Sequence, residues 1–150
     1  MNAPLHLTIT TPAALVAEAD GVRSLRAADG SGGFGIEPGH ADFLTVLPAS
    51  VVQWRGGDDV WRYCAVRAGV LTVSGGDKVA VAAREAVLGD DLATLEATVQ
   101  AAREDEAEAN RRARVEQLRF HMHALRQILR HLDPGKHPAG FPSATDGRAL

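Results

Sequence analysis

The sequence predicts an α+β protein in which a β-sandwich precedes a C-terminal helical arm. In residues 5–10, hydrophobic and polar residues alternate, which is typical of a strand with one buried face. Residues 91–132 contain neither Gly nor Pro and are rich in Ala, Leu, Glu and Arg, all strong helix formers. We therefore divide the chain into a β-sandwich domain at 1–88, a helical arm at 89–133 and a disordered tail at 134–150.

The N-terminal region carries the signature of many short strands. Turn signals recur at short intervals, at Asp20-Gly21, Asp29-Gly30, Gly56-Gly57 and Gly75-Gly76. Such punctuation favours an all-β sandwich or barrel. Residues 70–81 are predicted to form a hairpin, and Trp54, Trp61 and Tyr63 could meet as an aromatic cluster across strands.

The helical arm has clear start and stop signals. Asp90 and Asp91 lie where a helix N-cap and first turn favour acidic side chains. Asp133-Pro134-Gly135 is predicted to end the helix. Beyond it, Pro and Gly recur at short spacing up to residue 150, and this composition is typical of a disordered tail.

The arm carries two apolar stripes that are out of phase. The first begins at Leu92, and the second begins at Val115. The step from Ala113 to Val115 corresponds to roughly 200° of helical rotation, so one straight helix would direct the stripes to nearly opposite sides. A break near 110–114 would instead let them meet as an antiparallel hairpin. The sequence thus allows either a hairpin or one long helix.

Charge divides at the same place. Residues 90–110 carry seven acidic residues and one arginine, a net charge of −6. Residues 111–132 carry six arginines and one glutamate, a net charge of +5. These are either solvated faces or an acidic and a basic segment that attract each other or outside partners.

Bulk properties exclude several classes of function. The net charge of −3 argues against a protein built mainly to bind nucleic acid. No uncharged stretch approaches the roughly 20 residues that span a bilayer, and no signal peptide is expected. Cys64 is the one cysteine and is predicted to be inert core.

Several motifs fail as catalytic or binding sites. Residues 30–35 match G-x-G-x-x-G, but no helix pattern follows to receive a pyrophosphate, so a glycine turn between strands is expected instead. His121 and His123 diverge on a helix and cannot share one metal ion. We find no nucleophile, acid–base pair or phosphate loop, and we expect no catalytic residue, no cofactor and no metal.

One segment carries a specific resemblance. Residues 33–45, Gly-Phe-Gly-Ile-Glu-Pro-Gly-His-Ala-Asp-Phe-Leu-Thr, closely resemble the G-x-[LF]-G-I-x-P-G-H-A-x-[LF]-L-T segment of ATP synthase epsilon subunits. Residues 67–73 resemble the family's G-G-[IV]-L-x-V strand, with Ala68 where the first glycine is common. The resemblance covers roughly 4–92 well, and 93–132 only in architecture.

The resemblance implies a non-catalytic subunit of the central stalk, at the cytoplasmic face of the membrane. The sandwich would bind the gamma subunit and the polar loops of the c-ring, coupling ion flow to ATP synthesis. We expect this contact at Gly35, Glu37, Pro38, Gly39, His40 and Asp42. An extended arm restrains ATP hydrolysis in many members by meeting acidic segments of the catalytic subunits. Here that role would fall to Arg111, Arg112, Arg119, Arg126 and Arg130.

Nucleotide binding by the arm is not expected. Some members bind ATP through an [IL]-D-x-x-R-A motif, which aligns with residues 92–97. Ala93 lacks the carboxylate, and Glu96 reverses the charge of the arginine, so a phosphate would meet repulsion. The alternative to a stalk subunit is a stand-alone β-sandwich binding module with a self-associating arm. An enzyme ranks third.

Overall fold

The structure, a computed structural model, describes residues 2–132 and contains eight strands followed by one helix within that range. The predicted stop at 133–135 and the predicted disordered tail lie outside the described residues. The strands are β1 (Leu5–Thr10), β2 (Leu15–Val22), β3 (Ser24–Asp29), β4 (Gly32–Ile36), β5 (Phe43–Leu47), β6 (Ser50–Arg55), β7 (Trp61–Ser74) and β8 (Lys78–Gly89). The helix is α1 (Leu92–His131).

The strands form a sandwich in which β7 and β8 belong to both layers. The strand order is β2-β1-β8-β7-β6-β3-β4, and β5 pairs with β7. Residues 61–66 of β7 pair with β6, while residues 69–73 pair with β5 on the same edge. The first half of β8 pairs with β1, in parallel. One layer is therefore β2-β1-β8-β7-β5 and the other is β8-β7-β6-β3-β4, as the sequence predicts for a sandwich.

The bend in β7 lies at Ala68 and Gly69. Ala68 has a φ of +50°, in the left-handed region that costs an L-residue roughly 1–2 kcal/mol. A Cβ on Gly69 would lie 3.2 Å from the carbonyl oxygen of Ala82, so a side chain there would be crowded unless the neighbouring strand shifted by a few tenths of an ångström. These two residues let one strand pass from one layer to the other.

The core lies between the layers and is almost wholly aliphatic. Its largest fully buried side chains include Leu5, Leu7, Ile9, Leu25, Val52 and Leu71. Trp54 also points inward and is 3% exposed. It pairs with Arg62, whereas Trp61 and Tyr63 occupy the alternate positions of β7. Their side chains therefore lie on the opposite face, and the expected cluster of all three aromatics is wrong.

The helix begins at an Asp N-cap and packs on the sandwich with its first apolar stripe. Asp91 accepts hydrogen bonds from the backbone N–H of Ala93 and the hydroxyl of Thr94, and these hold the pKa of its carboxyl below the ordinary value. Leu95 and Val99 are buried against Ala49 and Ala65. Arg103 donates from Nε to the carbonyl of Ala49 at 2.7 Å.

Of the two alternatives for the arm, the structure has one long helix. No break occurs at 110–114, because α1 is continuous from Leu92 to His131 and no Gly or Pro interrupts it. The chain divides into two compact units between Glu108 and Ala109. In the second unit, the second apolar stripe is exposed from Val115 to Leu132.

Candidate partner-binding site

The segment Glu37–Asp42 is a closed turn with a defined conformation. The backbone N–H of His40 donates to the carbonyl of Glu37 at 3.1 Å, which places Pro38 and Gly39 at the two central positions. Gly39 has a φ of +85°. Pro at the first central position and Gly with positive φ at the second are the pattern of a type II turn. The Pro-Gly pair is therefore explained by the backbone.

This turn is fixed to the hairpin turn between β7 and β8. The N–H of Gly39 donates to the carbonyl of Gly76 at 2.8 Å. Asp42 accepts a hydrogen bond from the N–H of Gly75 at 3.0 Å. The amide of Asn2 donates to the carbonyl of Pro38 at 3.2 Å. Two loops far apart in sequence are thus joined by one main-chain hydrogen bond and by one bond from a backbone N–H to the Asp42 carboxylate.

The strand that follows the turn, β5, is also anchored. The hydroxyl of Thr45 donates to Asp29 at 2.6 Å. Asp29 also accepts hydrogen bonds from the backbone N–H and the hydroxyl of Ser31. These bonds, the Ser31 hydroxyl first and the Thr45 hydroxyl next, hold the pKa of Asp29 below the ordinary value. The carboxylate therefore stays ionised and ties the β3–β4 turn to β5.

His40 is oriented by its neighbours. Its Nδ1 lies 2.7 Å from the carbonyl of Ala41, and because a carbonyl only accepts, Nδ1 carries the proton. The ring packs edge-on against Phe43 at a centroid separation of 5.8 Å, and Phe43 packs against Phe34 at 5.5 Å. Neutral His40 therefore has Nε2 as its remaining hydrogen-bond acceptor.

The structure brings together the six residues that the sequence singled out near the loop, but in different roles. Gly35 is an exposed residue of β4 that pairs with Arg26. Pro38, Gly39 and Asp42 shape and anchor the turn, as described above. Glu37 is exposed. Its carboxylate forms no hydrogen bond with another side chain among residues 2–132. Of the six, Glu37 and His40 are the two whose side-chain chemistry is most available to a partner.

An apolar surface beside the loop was missed by the sequence reasoning. We call it the β5 face; it consists of Leu44, Val46 and Val70. Leu44 is 67% exposed and Val46 is 65% exposed, and Val46 lies opposite Val70 in the β5–β7 ladder. The signal was present, because residues 43–47 carry apolar residues at both alternate sets of positions. One face of β5 packs on the core, so the apolar residues on its other face stay exposed until a partner covers them.

The arginines proposed for the regulatory arm lie on α1. Arg119, Arg126 and Arg130 are exposed. Arg111 and Arg112 lie about two turns before Arg119 on the same helix. Alongside them, Leu118, Met122, Leu125 and Leu129 are more than half exposed, so the basic segment also carries uncovered apolar surface.

The described residues include no cluster suited to a metal ion, and their cysteine is buried. No group of three or more metal-ligating side chains occurs within 2–132. Cys64 is fully buried, and burial raises the pKa of its thiol to about 11, which suppresses the nucleophilic thiolate. In the same part of the chain, no helix is long and apolar enough to cross a membrane.

The cleft between the strands and the first half of α1 does not resemble a nucleotide site. It encloses about 790 Å³ and is lined by Glu96, Gln100 and Arg103, among others. Ala93 and Glu96 are both exposed at the start of α1. The Nε of Arg103 is already bonded to Ala49. Glu96 therefore brings a negative charge where a phosphate would need a positive one.

Comparison with known proteins identifies the family. Residues 4–89 match the family model of the β-sandwich domain of the ATP synthase delta/epsilon chain. An ATP synthase epsilon chain 2 of Paraburkholderia xenovorans is 53% identical over 136 residues, covering 91% of this chain and 98% of that protein. A protein of the same description from Cereibacter sphaeroides is 50% identical over 142 residues, covering 93% and 97%.

The fold has a counterpart among solved structures. A chain in a cryo-EM structure of the mitochondrial ATP synthase of Euglena gracilis superposes with a TM-score of 0.56. It is 19% identical and covers 69% of this chain and 66% of that one. The similarity shows that the two chains share a fold. The chain therefore belongs to the epsilon-chain family of F-type ATP synthases, and it is a non-catalytic subunit of the complex with no enzyme activity by itself.

Proposed function

We propose that this chain couples rotation of the membrane rotor to ATP synthesis, as a peripheral subunit at the cytoplasmic face of the membrane. The β-sandwich, residues 1–88, binds the gamma subunit through the β5 face. The turn at residues 35–42 contacts the polar loops of the c-ring. The observation that carries the proposal is that an anchored turn adjoins an uncovered apolar sheet face.

The β5 face has the properties of a protein contact. Its members lie on adjacent strands, and Leu44 and Val46 are about two-thirds exposed. Fully burying a Leu or Val side chain contributes roughly 1.5–3 kcal/mol, so covering this face stabilises a complex substantially. Its composition favours a partner with an apolar surface of its own, and the gamma subunit is the family's partner for the sandwich.

The turn is suited to a second, more polar contact. Hydrogen bonds to Gly75 and Gly76 already fix its backbone. The turn therefore loses little conformational entropy when a partner binds. Glu37 offers a carboxylate, and His40 offers Nε2 as an acceptor. Both groups fit the donors of a polar loop, which is the chemistry of the c-ring segment.

Charge reversal of Glu37 tests the turn in the assembled complex. Glu37→Lys and His40→Ala are each expected to weaken coupling of ion flow to synthesis or attachment of the head to the ring. Arg84→Glu is the matched control, because Arg84 is exposed on the sandwich and lies outside the turn and the β5 face. If assembly and coupling survive both variants at the turn, the turn is not the contact.

The proposal extends to the arm, residues 89–133, as a brake on ATP hydrolysis. Support comes from the exposed apolar residues and from the net charge of +5 in residues 111–132. Such a segment fits an acidic surface on the catalytic beta subunits. Exposed ion pairs contribute roughly 0–1 kcal/mol each, so several together change a two-state population by about one to two orders of magnitude.

Truncation separates the brake from a merely stabilising role. A chain ending at Asn110 keeps Leu95, Val99 and Arg103, which pack on the sandwich. In the complex it is expected to bind gamma normally and to raise the rate of ATP hydrolysis. Replacing Arg119, Arg126 and Arg130 together by Gln is expected to do so in part, with a smaller effect at high salt. A lower melting temperature with unchanged hydrolysis would contradict the brake.

A further inference from the structure

Two arginines lie against one tryptophan on the outer face of the sandwich layer that contains β3 and β6. The Cζ of Arg26 is 4.9 Å from the centre of the Trp61 ring, and the Cζ of Arg55 is 5.2 Å from it. Arg55 pairs with Trp61 across β6 and β7, and Arg26 reaches it from β3. We call these three residues the arginine platform. No part of the proposed stalk contact uses it.

The geometry leaves hydrogen-bond donors uncommitted. Contact with an aromatic ring uses none of the five N–H groups of a guanidinium as conventional hydrogen-bond donors, so they remain available to an acceptor. Arg55 has one carboxylate neighbour, with Nη1 at 3.5 Å from Asp59. Within residues 2–132, the Arg26 guanidinium makes contact with Trp61 but forms no ion pair or hydrogen bond.

Two cations held this close repel each other unless an anion joins them. Because the guanidinium carbons lie 4.9 and 5.2 Å from one ring centre, they are at most about 10 Å apart, which is comparable to the Debye length of about 8 Å at physiological salt. Asp59 compensates one of the two charges. Arg26 is left without an ion-pair partner within residues 2–132, so it can pair with a carboxylate from outside.

The surroundings restrict what that anion can be. Glu37 lines the groove on one side of Arg26, and Glu96 lines the cleft on the other side. Because these two carboxylates offset part of the positive charge, a single carboxylate matches what is left better than a phosphate, which carries nearly two negative charges.

We propose that Arg26, Arg55 and Trp61 form a docking site for a carboxylate-bearing segment of a partner protein. The carboxylate lies beside the Trp61 ring and accepts from the in-plane N–H groups of both arginines, and bonds of this type are short and strong. The three platform residues are distinct from those of the turn and of the β5 face, although Arg26 also borders the groove beside the turn. The site adds a surface for an acidic partner segment to this subunit.

Calorimetric titration of the full chain with hexaglutamate at low salt tests the site. Saturable binding is expected, with no binding of hexaglutamine. Arg26→Gln and Arg55→Gln are each expected to weaken binding about tenfold, as for the loss of one hydrogen bond to a charged group. Arg84→Gln is the matched control, because it removes the same charge from an exposed position elsewhere in the sandwich, and it should bind as the unmodified chain does.

A further variant separates the platform from simple charge. Trp61→Leu keeps both arginines but removes the ring that holds them, and it is expected to weaken binding as well, with the fold checked by circular dichroism. The proposal is overturned if hexaglutamate does not bind, if Arg84→Gln weakens binding as much as Arg26→Gln, or if Trp61→Leu binds normally. It is also overturned if inorganic phosphate or phosphatidylglycerol vesicles bind at the platform more tightly than the peptide.

Discussion

Gly39 and Gly76 meet backbone to backbone, with the N–H of Gly39 donating to the carbonyl of Gly76 at 2.8 Å. A Cβ built on Gly76 would lie 3.2 Å from the Cα of Gly39. Both residues also have positive φ, +85° for Gly39 and +74° for Gly76. This contact explains why the proposed partner-binding turn requires glycine at one end and the β7–β8 hairpin requires it at the other.

Replacing Gly76 by Ala tests this contact. The positive φ costs roughly 1–2 kcal/mol, and crowding against Gly39 adds roughly 1–2 kcal/mol. Gly21→Ala is the control, because Gly21 has a φ of +70° but no atom within 4 Å of the added Cβ. Chemical denaturation is expected to show a clearly larger loss of unfolding free energy for Gly76→Ala. Equal losses would mean that the close approach contributes nothing.

Ala68 offers the opposite experiment. Its φ of +50° is unfavourable for any residue with a Cβ, and Ala68 is exposed, so Gly removes the strain without leaving a cavity. Ala68→Gly is expected to raise the free energy of unfolding by roughly 0.5–1 kcal/mol, after subtracting the extra entropy of Gly in the unfolded chain. Ala80→Gly, at an exposed position of β8, should instead lower it, by roughly 0.5–1 kcal/mol.

Ala68 and the Pro-Gly turn show which features of the fold can be predicted from the sequence and which cannot. Alternation and turn residues predict the strands, and the resemblance indicates glycine at position 68, but only the backbone shows that the reason is a left-handed bend. The Pro-Gly turn is likewise readable from local chemistry. Its attachment to Gly75 and Gly76 is not, because the two segments lie more than 30 residues apart in the chain.

The arm shows where local signals leave a choice open. Helix propensity and the two apolar stripes are clear in the sequence, and they allow both a hairpin and one helix. The structure is continuous because neither Gly nor Pro lies in 110–114, while the first stripe is already covered by Ala49 and Ala65. The arginine platform was beyond the sequence altogether, because Arg26 and Trp61 meet only through the order of β3, β6 and β7.

The buried thiol of Cys64 is expected to make the free energy of unfolding fall as the pH rises above about 9. Burial raises the pKa of its thiol from 9.0 to about 11, so between these values the unfolded chain loses a proton that the folded chain keeps. The contribution is therefore fully present below pH 9 and is lost as the pH rises towards 11, by about 2–3 kcal/mol in all. Unfolding free energies at pH 8 and pH 11 should fall more for the unmodified chain than for Cys64→Ala. Parallel falls would show that the thiol titrates normally.

The most direct test of the account is a titration of the full chain against purified gamma subunit by calorimetry. Saturable one-to-one binding is expected. Leu44→Asp should weaken it at least tenfold, because a charge in the β5 face must be desolvated on binding. Leu118→Asp is the matched control, since Leu118 is 64% exposed on α1, nearly as much as Leu44, and it should bind gamma as the unmodified chain does. Absence of binding by a correctly folded chain, or equal weakening by the two variants, would contradict the proposed attachment of the sandwich to the stalk.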